Sequence, residues 1–109
     1  DLYRRAWVVA SASSHEGWGM TLTEAAACGT PAVATRISGH LDAVAEGTGG
    51  LLAEDERTLR DHLVTVLSDL DVRERLSAGA LAHAQAFTWE ATAAGTLSAL
   101  AQEARRRRR

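Results

Sequence analysis

Lysine is absent from this chain; all twelve of its basic residues are arginine. With the many alanines, this reads as a bias of coding composition rather than a physical signal. Cysteine occurs once, at Cys28, which excludes an internal disulfide and a multi-cysteine zinc site and gives redox chemistry no support. The four histidines show no ligand spacing, and neither His-Glu-x-x-His nor a Cys/His cluster is present, so no metal site is expected. No Gly-x-Ser-x-Gly elbow marks a hydrolase nucleophile. No apolar run reaches eighteen residues, which excludes a membrane-spanning helix. Basic excess is missing from the body: residues 1–104 hold seven Arg against fourteen Asp and Glu, a formal −7, and the terminal run Arg105–Arg109 brings the whole to −2. An acidic body argues against a nucleic-acid module. No internal repeat and no signal peptide is visible. The chain starts mid-pattern and without Met, so a piece of a longer protein is expected, its upstream targeting unknown.

What is present reads as one α/β domain over residues 1–104, with 105–109 as an arginine-rich flexible tail that suits a helix C-terminus electrostatically. Asp1–Ala6 reads as the end of a helix. Trp7–Ala10 is a continuous apolar run, as expected of a parallel strand covered on both faces. A helix is expected over about 21–28, stopped by Gly29 and Pro31. Ala32–Thr35 reads as a second strand, Leu41–Glu46 as a short helix, and Leu51–Leu52 as a third strand. Strand and helix alternate in the βαβ rhythm of a parallel sheet with right-handed crossovers. The remainder reads as helical. Leu59, Leu63, Val66, Leu67 and Leu70 form one stripe, with His62 beside it on the surface. Asp71-Val72-Arg73-Glu74 resembles a capping box for a helix over about 72–86 that tolerates Gly79. Thr88 can cap a last helix whose inner face would carry Trp89, Ala93, Leu97, Leu100 and Ala104. Cys28, at the end of its helix, is expected as a small buried side chain.

The chemistry concentrates in Ser13–Pro31. A strand, a Gly-x-Gly turn at Gly17 and Gly19, and a helix N-terminus form an anion cradle: glycines let the backbone approach, and unpaired helix amides point at the ligand. Two carboxylates, Glu16 and Glu24, bracket it with seven residues between them. Such a cradle suits a sugar nucleotide, whose diphosphate the amides hold while the carboxylates accept from hydroxyls.

Glu16-Gly-Trp-Gly-Met-Thr-Leu-Thr-Glu-Ala-Ala-Ala-Cys-Gly-Thr-Pro31 resembles the Glu-x7-Glu motif of retaining GT-B glycosyltransferases, especially family 4. The likeness continues through Ala32–Thr35, Gly50-Leu51-Leu52 and Phe87-Thr88-Trp89-Glu90. It implies the C-terminal part of a Rossmann-like donor-binding domain, with the three strands as strands four to six of a 3-2-1-4-5-6 sheet and the site at its switch point. The first half of that domain, its phosphate-gripping Arg/Lys, and the N-terminal acceptor domain would lie outside this chain. By the same resemblance Glu16 is the catalytic residue near the donor sugar and Glu24 binds the ribose, while Gly17, Trp18, Gly19, Met20 and Thr21 line the donor site. The donor would be a UDP-, GDP- or ADP-sugar, with no obligatory cofactor or metal and the anomeric configuration retained.

Each assignment has a plainer rival. Glu16 reads otherwise as an exposed loop acid, Glu24 as an early-turn acid favoured by the helix dipole, Trp18 as loop filling, Thr21 as a plain helix cap or first-turn residue and His15 as a surface histidine. The flanking glycines favour function for Glu16, and the fit of a carboxylate to two vicinal hydroxyls favours it for Glu24. The family's second loop, Gly-Gly-x-Pro-Glu, is here Ser38-Gly39-His40-Leu41-Asp42, and its later Thr-Gly is Gly49-Gly50; both departures leave the substrate open. A GT-B-fold epimerase, a glycogen-synthase-like enzyme and a noncatalytic nucleotide-sugar-binding remnant remain alternatives. The isolated chain is expected to be inactive. Its unpaired first-strand edge should make it weakly stable and prone to self-association. The expected location is cytoplasmic, with a membrane-peripheral parent left open.

Overall fold

The computed structural model describes residues 1–109. Strands β1 (Val9–Ser11), β2 (Ala32–Thr35) and β3 (Gly50–Ala53) form one parallel sheet in the order β1-β2-β3. The helices are α1 (Leu2–Arg5), α2 (Met20–Ala27), α3 (Ser38–Ala43), α4 (Glu56–Ser68), α5 (Leu70–Ala84) and α6 (Trp89–Arg107). This is the expected α/β class: a partial Rossmann-like sheet of three strands followed by helices.

The register aligns Ala10, Val33 and Leu51 across the sheet. Because side chains alternate along a strand, β2 sends Ala32 and Ala34 to one face and Val33 to the other. Ala32 and Ala34 pack with Leu22 of α2, Val44 and Leu52, and with half-buried Val9. Val33 meets Val66 of α4 and Leu76 of α5, and Val8, Leu51, Leu59, Leu63 and Val72 close around them. The small residues of β2 let helices approach closely on both sides. In α2 the stripe Leu22, Ala25, Ala26 is buried, and α5 packs along the same helix.

Several boundaries move for identifiable reasons. β1 starts at Val9, not Trp7: Trp7 leaves the sheet to stack under the Arg73 guanidinium, 4.1 Å from the ring centre. The strand is not covered on both faces either; Ala10 is exposed, and β1 pairs only with β2. The short helix α3 begins at Ser38 rather than Leu41, because Ile37 already supplies the extended N-cap. It also ends early, since Val44 turns extended to bury its side chain. α5 is capped by Asp69, which accepts from the Val72 amide, and not by Asp71. Cys28 is exposed, not buried, because it lies off the 22-25-26 stripe. His62 is half-buried rather than on the surface, and its Nε2–H donates to the Leu52 carbonyl (3.1 Å). α6 is capped by Thr88 as expected, yet none of its residues is buried, the proposed inner face included. The arginine run begins as the last turn of this helix, where Arg106 and Arg107 both bond Glu103. No helix is long and apolar enough to cross a membrane.

Gly79 sits inside α5 where helix propensity disfavours it. A Cβ there would overlap the Thr48 carbonyl oxygen, so the glycine lets α5 press against the loop before β3. Gly95 of α6 has no such neighbour. The two Gly→Ala substitutions should therefore differ in sign. Gly79→Ala should lower stability by about 1–3 kcal/mol through overpacking, outweighing a propensity gain of about 1 kcal/mol, whereas Gly95→Ala should raise the helicity of α6. Urea melts and Cα chemical shifts read the two effects, and equal gains would contradict the close approach.

The Asp55 side chain accepts from the Thr58 amide at the start of α4 (2.7 Å), and that backbone bond holds its carboxyl below the usual range. A carboxylate whose folded value is depressed stabilises the fold above its unfolded value, and the effect is lost as pH falls through the folded one. Wild type should be more stable than Asp55→Asn at pH 7, and urea midpoints should converge as the pH is lowered through the carboxylate range.

Candidate functional site

Because all three strands are parallel, their carboxyl ends open on one edge of the sheet, and the loops after β1 and β2 meet there. The chain leaves β1 at Ser11 and reaches α2 through Gly17-Trp18-Gly19. Gly19 is the N-cap, in the left-handed region (φ 93°) and without a side chain to cap the helix. Its carbonyl accepts from the Leu22 and Thr23 amides (3.0 and 3.4 Å), which leaves the Met20 and Thr21 N–H groups without an acceptor. Positive helix-end dipole and two free donors therefore face outward. Met20 and Thr21 are exposed, and Thr21 is a first-turn residue, not the cap. Gly17 has open space where a side chain would stand.

Glu16 and Glu24 take different partners. Glu16 is half-buried; its Oε1 accepts from the Ser13 hydroxyl (2.7 Å), and its Oε2 lies 4.0 Å from His40 Nε2. Gly39 packs directly on the Glu16 backbone, where a Cβ would overlap the carbonyl. A Cβ at Gly19 would come within 3.0 Å of the His40 ring and 3.4 Å of Glu16 Oε2. Glycine is thus required at position 19 twice, for its φ and for these contacts. Glu24 is exposed on the outer face of α2 and accepts from the Tyr3 hydroxyl of α1 (3.2 Å). Desolvation, and then the Glu24 carboxylate, push the Tyr3 hydroxyl above its usual range.

Trp18 does two things. Its Nε1–H donates to the Thr23 hydroxyl (2.8 Å), and its ring meets Phe87 edge-on at 5.2 Å. It also lines a groove of about 590 Å³ with Met20, Glu24, Phe87 and Trp89. His15 is exposed and bonds only to Ser14. Arg36, which follows β2, is committed to Glu46 and Glu54, and its guanidinium is held charged chiefly by the Glu46 hydrogen bond. No group of three or more His, Cys, Asp or Glu is placed to hold a metal.

The sequence reading named Glu16, Gly17, Trp18, Gly19, Met20, Thr21 and Glu24. It did not name Tyr3, Gly39 or His40 as members of the site. Tyr3 has no local signal, since α1 reaches Glu24 only through the fold. Gly39 and His40 keep the pattern Gly-Gly-x-Pro-Glu at its second Gly and its x, so nothing at these two positions marked them.

The sequence pattern of the glycosyl transferases group 1 family matches residues 1–83. The chain belongs to that family. It is 41% identical over 109 residues to a D-inositol 3-phosphate glycosyltransferase of Stackebrandtia nassauensis, covering 98% of this chain and 25% of that protein. Against the enzyme of the same name from Corynebacterium efficiens the identity is 44% over 105 residues, with 94% and 24% covered. The chain thus spans about a quarter of the length of the curated relatives it matches. In this group 1 glycosyltransferase chain the free end of α2 and the Glu16–His40 contact both lie within the matched residues.

If Gly39 sets the path of the Glu16 loop, Gly39→Ala should shift amide resonances of residues 13–19 and lower the melting temperature. Gly17→Ala, which meets no atom within 4 Å, should leave both nearly unchanged. Equal perturbation by the two would remove the role given to Gly39.

Proposed function

We infer that this chain is the donor-binding part of a longer retaining glycosyltransferase that moves a sugar from a nucleotide donor to an acceptor hydroxyl. The observation that carries the reading is the α2 N-terminus: two unpaired amides, a left-handed glycine cap and a carboxylate at each side. The Met20 and Thr21 amides would hold the donor diphosphate, and as the glycosidic bond breaks they would stabilise the charge growing on the leaving group. Glu24, with one oxygen free of Tyr3, would accept the ribose hydroxyls. Glu16 would stand at the transferred sugar. Gly17 and Gly19 would allow close approach, and Trp18 would wall the site. This scheme requires no metal, because amides and basic side chains from the rest of the protein relieve the charge. The open edge of β1 is where the remaining strands would pair, and it would let the isolated chain self-associate. The relatives' names make an inositol phosphate the first acceptor to assay, and the parent protein would work in the cytoplasm.

The test is a ¹H–¹⁵N titration of the chain with UDP, GDP, ADP and their glucose or mannose conjugates. One nucleotide series should shift residues 16–24, and Glu24→Ala should weaken it about tenfold to a hundredfold, the worth of lost charge-assisted hydrogen bonds. The chain alone should show no transfer. Undiminished binding in Glu24→Ala, or turnover by the chain alone, would overturn the corresponding part.

A further inference from the structure

His40 Nε2 is the one buried side-chain nitrogen or oxygen of the chain without a hydrogen-bond partner. The residue is fully screened from solvent, and its two nitrogens are chemically distinct. Nδ1 lies 2.7 Å from the Thr35 carbonyl oxygen. A carbonyl can only accept, so Nδ1 carries a hydrogen and, in the neutral ring, Nε2 is a bare lone pair. That lone pair faces Glu16 Oε2 at 4.0 Å, beside Gly19. A bare lone pair facing a carboxylate oxygen is poorly matched, whereas an Nε2–H faces it favourably; at 4.0 Å the contact is at ion-pair distance, longer than a hydrogen bond.

Neighbouring charges do not compete for this contact. Arg36 is turned to Glu46 and Glu54. Asp42, on the same helix as His40, is exposed, and its carbonyl is taken by His83. The far end of the ring is anchored as well: the Thr35 hydroxyl donates to the Ser13 carbonyl (2.5 Å), and the Ser13 hydroxyl donates to Glu16 Oε1 (2.7 Å). The end of β2, α3 and the β1 exit loop are joined at Glu16 through this set of bonds. In the pattern Gly-Gly-x-Pro-Glu, His40 falls at the x.

We propose that His40 is the positioning residue of Glu16. Its Nε2 holds Oε2 from the buried side while Ser13 holds Oε1, so the remaining lone pairs of the carboxylate face the open crevice. Being screened from solvent, His40 acts through Glu16 and does not touch the donor. The consequence for transfer rests on the placement of Glu16 inferred above; the pairing itself does not.

The first measurement is made on the chain as it stands, without donor: the ring ¹⁵N shifts of its histidines in wild type and Glu16→Gln. The His40 Nε2 resonance should move, while His62 and His83, whose Nε2 atoms are held by the Leu52 and Asp42 carbonyls, should not. An unmoved His40, or equal movement in all three rings, overturns the pairing. The second compares His40→Leu, of similar size but apolar, with His40→Gln, whose amide keeps an N–H donor, in the full-length transferase. His40→Leu should lower kcat about tenfold to a hundredfold with donor KM nearly unchanged, and His40→Gln should recover most of the loss. Equal rates in Leu and Gln variants that melt like wild type overturn the role; if Leu fails to fold, the ¹⁵N comparison decides. Unchanged transfer in Glu16→Gln would instead sink the assignment of Glu16 to the reacting centre, and the ring shifts would still judge the pairing.

Discussion

The burial of β2 on both faces is the constraint on which the rest of this structure depends. Ala32, Val33 and Ala34 are each almost inaccessible to solvent, and a strand so covered needs helices above and below it. The chain meets that need by crossing over between parallel strands, which carries every strand's carboxyl end to the same edge. Burying the middle of the domain and gathering the loops into one site are therefore one event. Close approach supports it: the alanines of β2, Gly50 against Ala32, and Gly79 against Thr48 remove the side chains that would hold the layers apart.

α2 connects this core to the site. Its stripe Leu22, Ala25, Ala26 fixes the rotation of the helix against the sheet. Once the rotation is fixed, Met20, Thr21 and Glu24 must face outward, and the helix end must open on the crevice. The left-handed turn at Gly19 then brings Glu16 back across that end to meet His40. The helix end presents backbone donors and its dipole to the crevice. Arg36, which follows β2, is turned away to Glu46 and Glu54.

α6 illustrates a pattern without a surface to meet it. Leu97 and Leu100 recur at helical spacing, yet they stay 69% and 65% exposed. The helix is instead supported locally, by the Thr88 cap at its start and by Glu103, whose carboxyl is held below the usual range by Arg106 and then Arg107. Arginines in the last turn also suit the dipole there.

Local chemistry made much of this legible in advance. The run 32–35 appears as the strand it reads as, Gly29 ends α2 with a positive φ, and Thr88 caps α6, because each is decided by residues adjacent in sequence. The Gly-Trp-Gly turn and the spacing of Glu16 and Glu24 likewise announced a helix end with two acids near it. Partners distant in sequence were not legible. Tyr3 reaches Glu24 across 21 positions, Trp7 leaves its strand for Arg73, and Gly79 proves necessary because Thr48 lies against it. A lone histidine in Ser38-Gly39-His40 carried no sign of its neighbour. By itself the sequence determined the strand–helix alternation, the Thr88 cap and the glycine turn that opens α2, since propensity and capping act over a few residues. Only the tertiary structure decided which side chains stand behind that turn. Burial and contact depend on how separate elements pack, and the periodicity of one element cannot encode the surface of another.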